Sequence, residues 1–66
     1  MEIEVNGKFR DLEPGQSVAA LLTELELDGL LVVVELNRQI VRHTERAVMI
    51  LNDGDRVEIV HFVGGG

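Results

Sequence analysis

With 66 residues the chain has room for one domain, spanning 1–66, and a chain of this length buries only about 60% of the surface its unfolded form exposes. It holds no cysteine, which excludes disulfide staples, thiolate metal sites and a catalytic thiol, and its only aromatics are Phe9 and Phe62, so an aliphatic core must carry the fold. A formal charge of −6 repels nucleic-acid phosphates and anionic lipid, and no apolar run is long enough to span a bilayer; with Glu2 and Glu4 where a signal peptide would be basic, the expected setting is the cytoplasm, without nucleic-acid or membrane partners.

From Met1 to Asn6 apolar and acidic residues alternate, the period of a half-buried strand. Asn6-Gly7 suits a type I′ hairpin, so a second strand over Lys8–Leu12 is expected to return antiparallel, until Pro14-Gly15 ends it. Ser17 is placed to cap a helix carrying Val18, Leu21, Leu22 and Leu25 at i, i+3, i+4 and i+7, and Asp28-Gly29 is its expected stop. Leu30–Leu36 is a nearly continuous apolar run of strand length, typical of an interior strand. Asn37-Arg38 turns the chain into a short strand, Gln39–Val41. Thr44 then caps a brief helical turn running through Ala47, and Val48–Leu51 packs beneath the sheet. Asn52-Asp53-Gly54-Asp55 is a strong turn signal before a last strand, Arg56–Val63. The order predicts an α+β fold of the β-grasp (ubiquitin-like) type, a mixed sheet of four to five strands with one main helix on one face.

The two faces of the last strand differ. Val57, Ile59, His61 and Val63 are expected to pack under the helix, whereas the opposite face runs from Arg56 and Glu58 to Val60 and Phe62. Glu35 is expected to face solvent, which puts Leu31 and Val33 on that outer face too and makes Leu31, Val33, Val60 and Phe62 a candidate docking patch. Gly64, Gly65 and Gly66 offer no side chain to pack, and the tail 64–66 is expected to project flexibly into solvent. Two uses are open to it: a frayed end, or a slender tail that threads a channel and leaves its terminal carbonyl unhindered. A carboxylate must be activated before a sulfur nucleophile can attack it, most simply as an acyl-adenylate. The chain has no phosphate-binding glycine motif, so another protein must supply ATP and the activation, with no cofactor bound here.

Other candidates are weaker. His43 and His61 lack a third ligand, which predicts no metal site, and Ser17, Thr23 and Thr44 sit in no nucleophile motif, which predicts no catalytic residue and no enzyme. Glu24, Glu26, Asp28, Asp53, Asp55 and Glu58 read most simply as a solvated acidic surface.

Over essentially its whole length the chain resembles the ThiS family of thiamine-pathway sulfur carriers. The resemblance is carried by Val5-Asn6-Gly7, Gly15-Gln16-Ser17-Val18, Glu35-Leu36-Asn37-Arg38-Gln39-Ile40-Val41, and above all by the segment from Asn52 to Val60 followed by Val63-Gly64-Gly65-Gly66. One departure is Arg42, where many members have proline. The resemblance implies that Gly66 is adenylated by a ThiF-type enzyme, receives sulfur that comes from cysteine through a desulfurase, and as a thiocarboxylate supplies a ThiG-type thiazole synthase. Gly65 would complete the Gly-Gly pair and Gly64 extend the tail. Two neighbours share the fold: the small subunit of molybdopterin synthase, which tends to be longer and to carry prolines where this chain has His61-Phe62-Val63, and ubiquitin-like modifiers, whose terminal glycine ends in an isopeptide bond.

Overall fold

A computed structural model describes residues 1–62; Val63 and the tail residues Gly64, Gly65 and Gly66 lie outside the described residues, so the expectations placed on them are not addressed by the fold. Five strands, β1 (Glu2–Val5), β2 (Lys8–Asp11), β3 (Val32–Leu36), β4 (Gln39–Val41) and β5 (Arg56–His61), form one mixed sheet in the order β2-β1-β5-β3-β4. β1 and β5 run parallel; the other neighbours are antiparallel. The helix α1 (Val18–Glu24) joins the first hairpin to the second half of the sheet.

Both hairpins close through two residues in the left-handed region, as a type I′ turn demands. In the first these are Asn6 (φ 50) and Gly7 (φ 81), and in the second Asn37 (φ 51) and Arg38 (φ 70). Period-two alternation then sends Ile3, Val5, Val32, Val34, Val41, Val57 and Ile59 to one face, where Val18, Leu21 and Leu22 of α1 and the flanking Leu12 and Leu51 complete the buried core. Ser17 caps α1 as expected, its hydroxyl accepting from Ala20 N–H at 3.0 Å.

Four local expectations need correction. The helix does not run to Asp28-Gly29. Glu26 takes a left-handed φ of 58, and Leu27 N–H and Glu26 N–H donate to the carbonyls of Leu22 and Thr23, a Schellman ending that satisfies the last carbonyls two residues earlier. Asp28 instead opens a 3-10 turn over Gly29–Leu31 by accepting from Leu30 N–H at 2.9 Å, so the third strand starts at Val32 and not at Leu30. Thr44 lies inside a second 3-10 turn, His43–Glu45, rather than capping it, because the Glu45 carboxylate takes the Arg42 N–H at 3.1 Å. Of Val48–Leu51, Leu51 is buried and Met49 partly so, while Val48 and Ile50 are exposed. Val48 still belongs to the preceding turn, its N–H donating to Glu45 O, and from Met49 the chain runs beside the start of α1, with Val18 N–H on Met49 O and Leu51 N–H on Gln16 O.

Two aspartates in the expected acidic surface also do structural work. Asp55 Oδ2 accepts from Asn52 N–H at 2.7 Å, and Asp53 Oδ1 from Glu2 N–H at 2.8 Å, so the acidic turn is tied to the first strand.

A charged group sits where the two 3-10 turns meet. Arg46 is buried; its Nη1 donates to Gly29 O at 2.7 Å and its Nη2 to Val32 O at 2.9 Å, with Nη1 also 3.3 Å from His43 Nδ1. No carboxylate pairs with it among the described residues, and its Nε has no partner there. Burying a guanidinium is costly, and the carbonyls it serves offset that cost only while the fork is present. Arg46→Met, which keeps the apolar stem and deletes the fork, is predicted to lose about 1–3 kcal/mol in urea denaturation, since the two carbonyls are left without donors. A change below about 0.5 kcal/mol, the range of ordinary surface substitutions, would show that the fork contributes nothing net.

Candidate functional site

The last described strand forms the site. β5 is paired along its whole length with β3, in the register Leu36↔Val57, Glu35↔Glu58, Val34↔Ile59, Val33↔Val60 and Val32↔His61. One further bond, Phe62 N–H to Leu31 O at 2.8 Å, carries the ladder past the end of β3. The outer face of this pair is therefore a series of cross-strand rungs, Leu31 with Phe62, Val33 with Val60, and Glu35 with Glu58.

All four residues of the expected patch are brought together. Val60 and Phe62 are each 58% exposed and Leu31 52%, while Val33 is half-buried between its neighbours. Ile40 extends the apolar surface to the edge strand, and a shallow hollow of about 320 Å³ opens between Val33, Ile40, Arg42 and Phe62. Exposing this much aliphatic and aromatic surface in one place disfavours the free protein in water and suits a covered face. The rung below is acidic, with Glu35 and Glu58 directly opposed, and beyond it Arg56 bridges to Glu4 at 3.2 Å. Opposed like charges are unfavourable in an isolated sheet, and a basic partner surface would relieve them.

The inner face departs from expectation at its end. Val57 and Ile59 are buried, but His61 is exposed, at the rim of a hollow of about 330 Å³ lined also by Val5, Lys8, Leu25 and Leu27. Leu25 and Leu27, which follow α1, border this hollow without closing over His61. His43 lies against Arg46, and no group of three or more His, Asp or Glu side chains that would hold a metal exists among the described residues. No helix among them is long and apolar enough to cross a membrane.

Two residues that matter here escape a reading of the sequence. Arg46 holds Gly29 and Val32, and so fixes the segment that carries Leu31; nothing in its spacing marks it as buried. Asn6 looks fully explained by its hairpin. Yet its side chain reaches β5, where Oδ1 accepts from Ile59 N–H at 2.7 Å and Nδ2 donates to Ile59 O at 3.2 Å.

The model of the ThiS family matches residues 3–66. The chain is 35% identical over 65 residues to the sulfur carrier protein ThiS of Bacillus subtilis, covering 97% of this chain and 98% of that protein. It is 44% identical over 66 residues to a thiazole synthase of Paramagnetospirillum magneticum, of whose length the chain spans 20%. A crystal structure of the thiamine biosynthesis protein ThiS from Geobacter metallireducens superposes with a TM-score of 0.87 at 33% identity, both chains being covered in full.

Because β5 carries one exposed and one buried face, truncations on the two sides should separate cleanly. Phe62→Ala is predicted to shift stability by no more than about 0.5 kcal/mol, and Ile59→Ala to cost about 2–5 kcal/mol, both read from denaturant midpoints. A loss of 2 kcal/mol or more for Phe62→Ala, on the scale of that core truncation, would place Phe62 in the core and remove it from the patch.

Proposed function

The chain belongs to the ThiS family, and on that premise we propose that it is a sulfur carrier for building the thiazole ring of thiamine, with the carboxylate of Gly66 as the reactive group. The observation that carries the reading is the agreement of nearly the whole chain, terminal glycines included, with a family that contains a named sulfur carrier, on a fold whose last described strand, ending at His61, precedes those glycines in sequence.

The chemistry follows from what a terminal carboxylate needs. A carboxylate oxygen of Gly66 attacks the α-phosphorus of ATP held by a ThiF-type adenylating enzyme; pyrophosphate leaves, and an acyl-adenylate remains. A sulfur nucleophile then attacks the acyl carbon and expels AMP. Sulfide gives the thiocarboxylate directly, whereas an enzyme persulfide charged from cysteine by a desulfurase gives an acyl disulfide, whose S–S bond a thiol reductant cleaves with two electrons to release the thiocarboxylate. The body of the protein performs neither step. It presents the terminus, and Gly64 and Gly65 keep the chain beside the reacting carbon free of side chains.

Docking falls to the outer face of β3 and β5. Leu31, Val33, Val60 and Phe62 supply area to bury, and the Glu35–Glu58 rung favours a partner with basic residues bordering its apolar site. A ThiG-type thiazole synthase is the receiving partner: a thiazole synthase contains a segment 44% identical to this entire chain, an arrangement in which carrier and synthase are one polypeptide.

Incubation with ATP, a ThiF-type enzyme and a sulfide source should raise the intact mass by the difference between one sulfur and one oxygen. Deleting Gly65 and Gly66 should abolish that gain with the fold intact; a truncated chain that still gains the mass would overturn the assignment of Gly66. For the patch, Phe62→Ala is expected to weaken binding to the adenylating enzyme by at least about tenfold, and unchanged affinity in titration calorimetry would move the docking face elsewhere.

A further inference from the structure

The end of β5 is held differently on its two sides. Toward β3 the backbone ladder continues to Phe62, through the bond to Leu31 O. Toward β1 the backbone pairing stops with Asn6 N–H on Val57 O at 2.9 Å, because the chain reverses at Asn6 and β1 has no further residue to offer. The next rung on that side is Ile59, and the Asn6 side-chain amide fills it: carbonyl to N–H at 2.7 Å, amino group to carbonyl at 3.2 Å. This pair of bonds copies what one more residue of a parallel strand would make. An amide is required, since a carboxylate or a hydroxyl cannot supply the same acceptor and donor in that fork. Among non-glycine residues, asparagine also tolerates the φ of 50 that the hairpin imposes.

We propose that Asn6 is a positioning residue for the reactive terminus, its side chain serving as the missing rung of β1 that fixes the direction in which β5 leaves the sheet. The proposal rests on the sulfur-carrier reading. A strand bonded along one edge keeps its register but can rotate about that edge as about a hinge. Without the Ile59 bonds, β5 beyond Val57 would be held only by its β3 ladder and the buried Ile59 side chain, loosening the angle between its exit and the part of the docking face carried by Leu31 and Val33. The docked complex would still form, but fewer of the docked molecules would aim Gly66 at the α-phosphorus, and misplacement of this kind lowers turnover more than binding.

Asn37 supplies the comparison. It occupies the equivalent place in the second hairpin, and its side chain bonds the start of β5 instead of the end, with Oδ1 accepting from Arg56 N–H at 2.9 Å and Nδ2 donating to Asp55 Oδ1 at 3.0 Å. Glycine at either position preserves the turn and deletes these bonds. In pyrophosphate release by a ThiF-type enzyme with saturating ATP, Asn6→Gly is expected to lower kcat about tenfold while KM for the carrier moves less than about twofold. Asn37→Gly should leave kcat unchanged, although thermal melts show both variants folded and similarly destabilised. Amide exchange at Ile59 should accelerate in Asn6→Gly alone. Equal kcat for the two variants, or an Asn6→Gly defect confined to KM, would overturn the proposal while leaving the carrier reading in place. Failure of the unmodified protein to support pyrophosphate release would instead sink the carrier reading, and this proposal with it.

Discussion

Everything in this small fold depends on β5 lying in the middle of the sheet. It is bonded to β1 on one side and β3 on the other, and its Val57 and Ile59 are buried against the helix layer. The two hairpins, β1–β2 and β3–β4, have no direct contact within the sheet except through it. A chain without cysteine and with an aliphatic core has little other means of joining its halves. The same strand that closes the core is the last described element before the glycines in sequence, so the element that stabilises the protein is also the one that would carry the proposed reactive end.

Two asparagines make this arrangement work. Each sits at the first left-handed position of a type I′ turn, and each turns its amide toward β5, Asn37 at the strand's start and Asn6 near its end. Where a hairpin ends and its backbone can no longer pair, a side chain completes the ladder. The buried Arg46 plays a comparable part for the irregular segments, gathering the carbonyls of Gly29 and Val32 that no strand or helix satisfies. In each case a polar group compensates for a place where regular structure runs out.

What could be read in the sequence was what is decided locally. The Asn6-Gly7 and Asn52–Asp55 turns, the Ser17 cap, the alternation of Val57 and Ile59 with Glu58 and Val60, and hence the outer apolar patch, all follow from residues within a few positions of one another. The misreadings are those where a distant group, or an uncommon backbone state, decides. Glu26 gives no compositional hint that it will adopt a left-handed conformation, and the more conspicuous Asp28-Gly29 marks the helix end in its stead when only the sequence is read. The exposure of His61 depends on how Leu25 and Leu27 pack beside it rather than on the alternation of its own strand. The second roles of Asn6 and Arg46 span 53 and 17 residues respectively, beyond the reach of any pattern.

A central strand that comes after every other described element has a consequence for synthesis. Until residues 56–61 are free to pair, the nascent polypeptide can form its hairpins and helix but has an open slot between β1 and β3. Its apolar inner face stays wet until residues 56–61 emerge from the exit tunnel and insert between two strands already made. Maturation is then a single late event governed by non-local pairing, and a prematurely released or clipped chain would present two exposed strand edges, a form suited to capture by chaperones and to disposal by proteases.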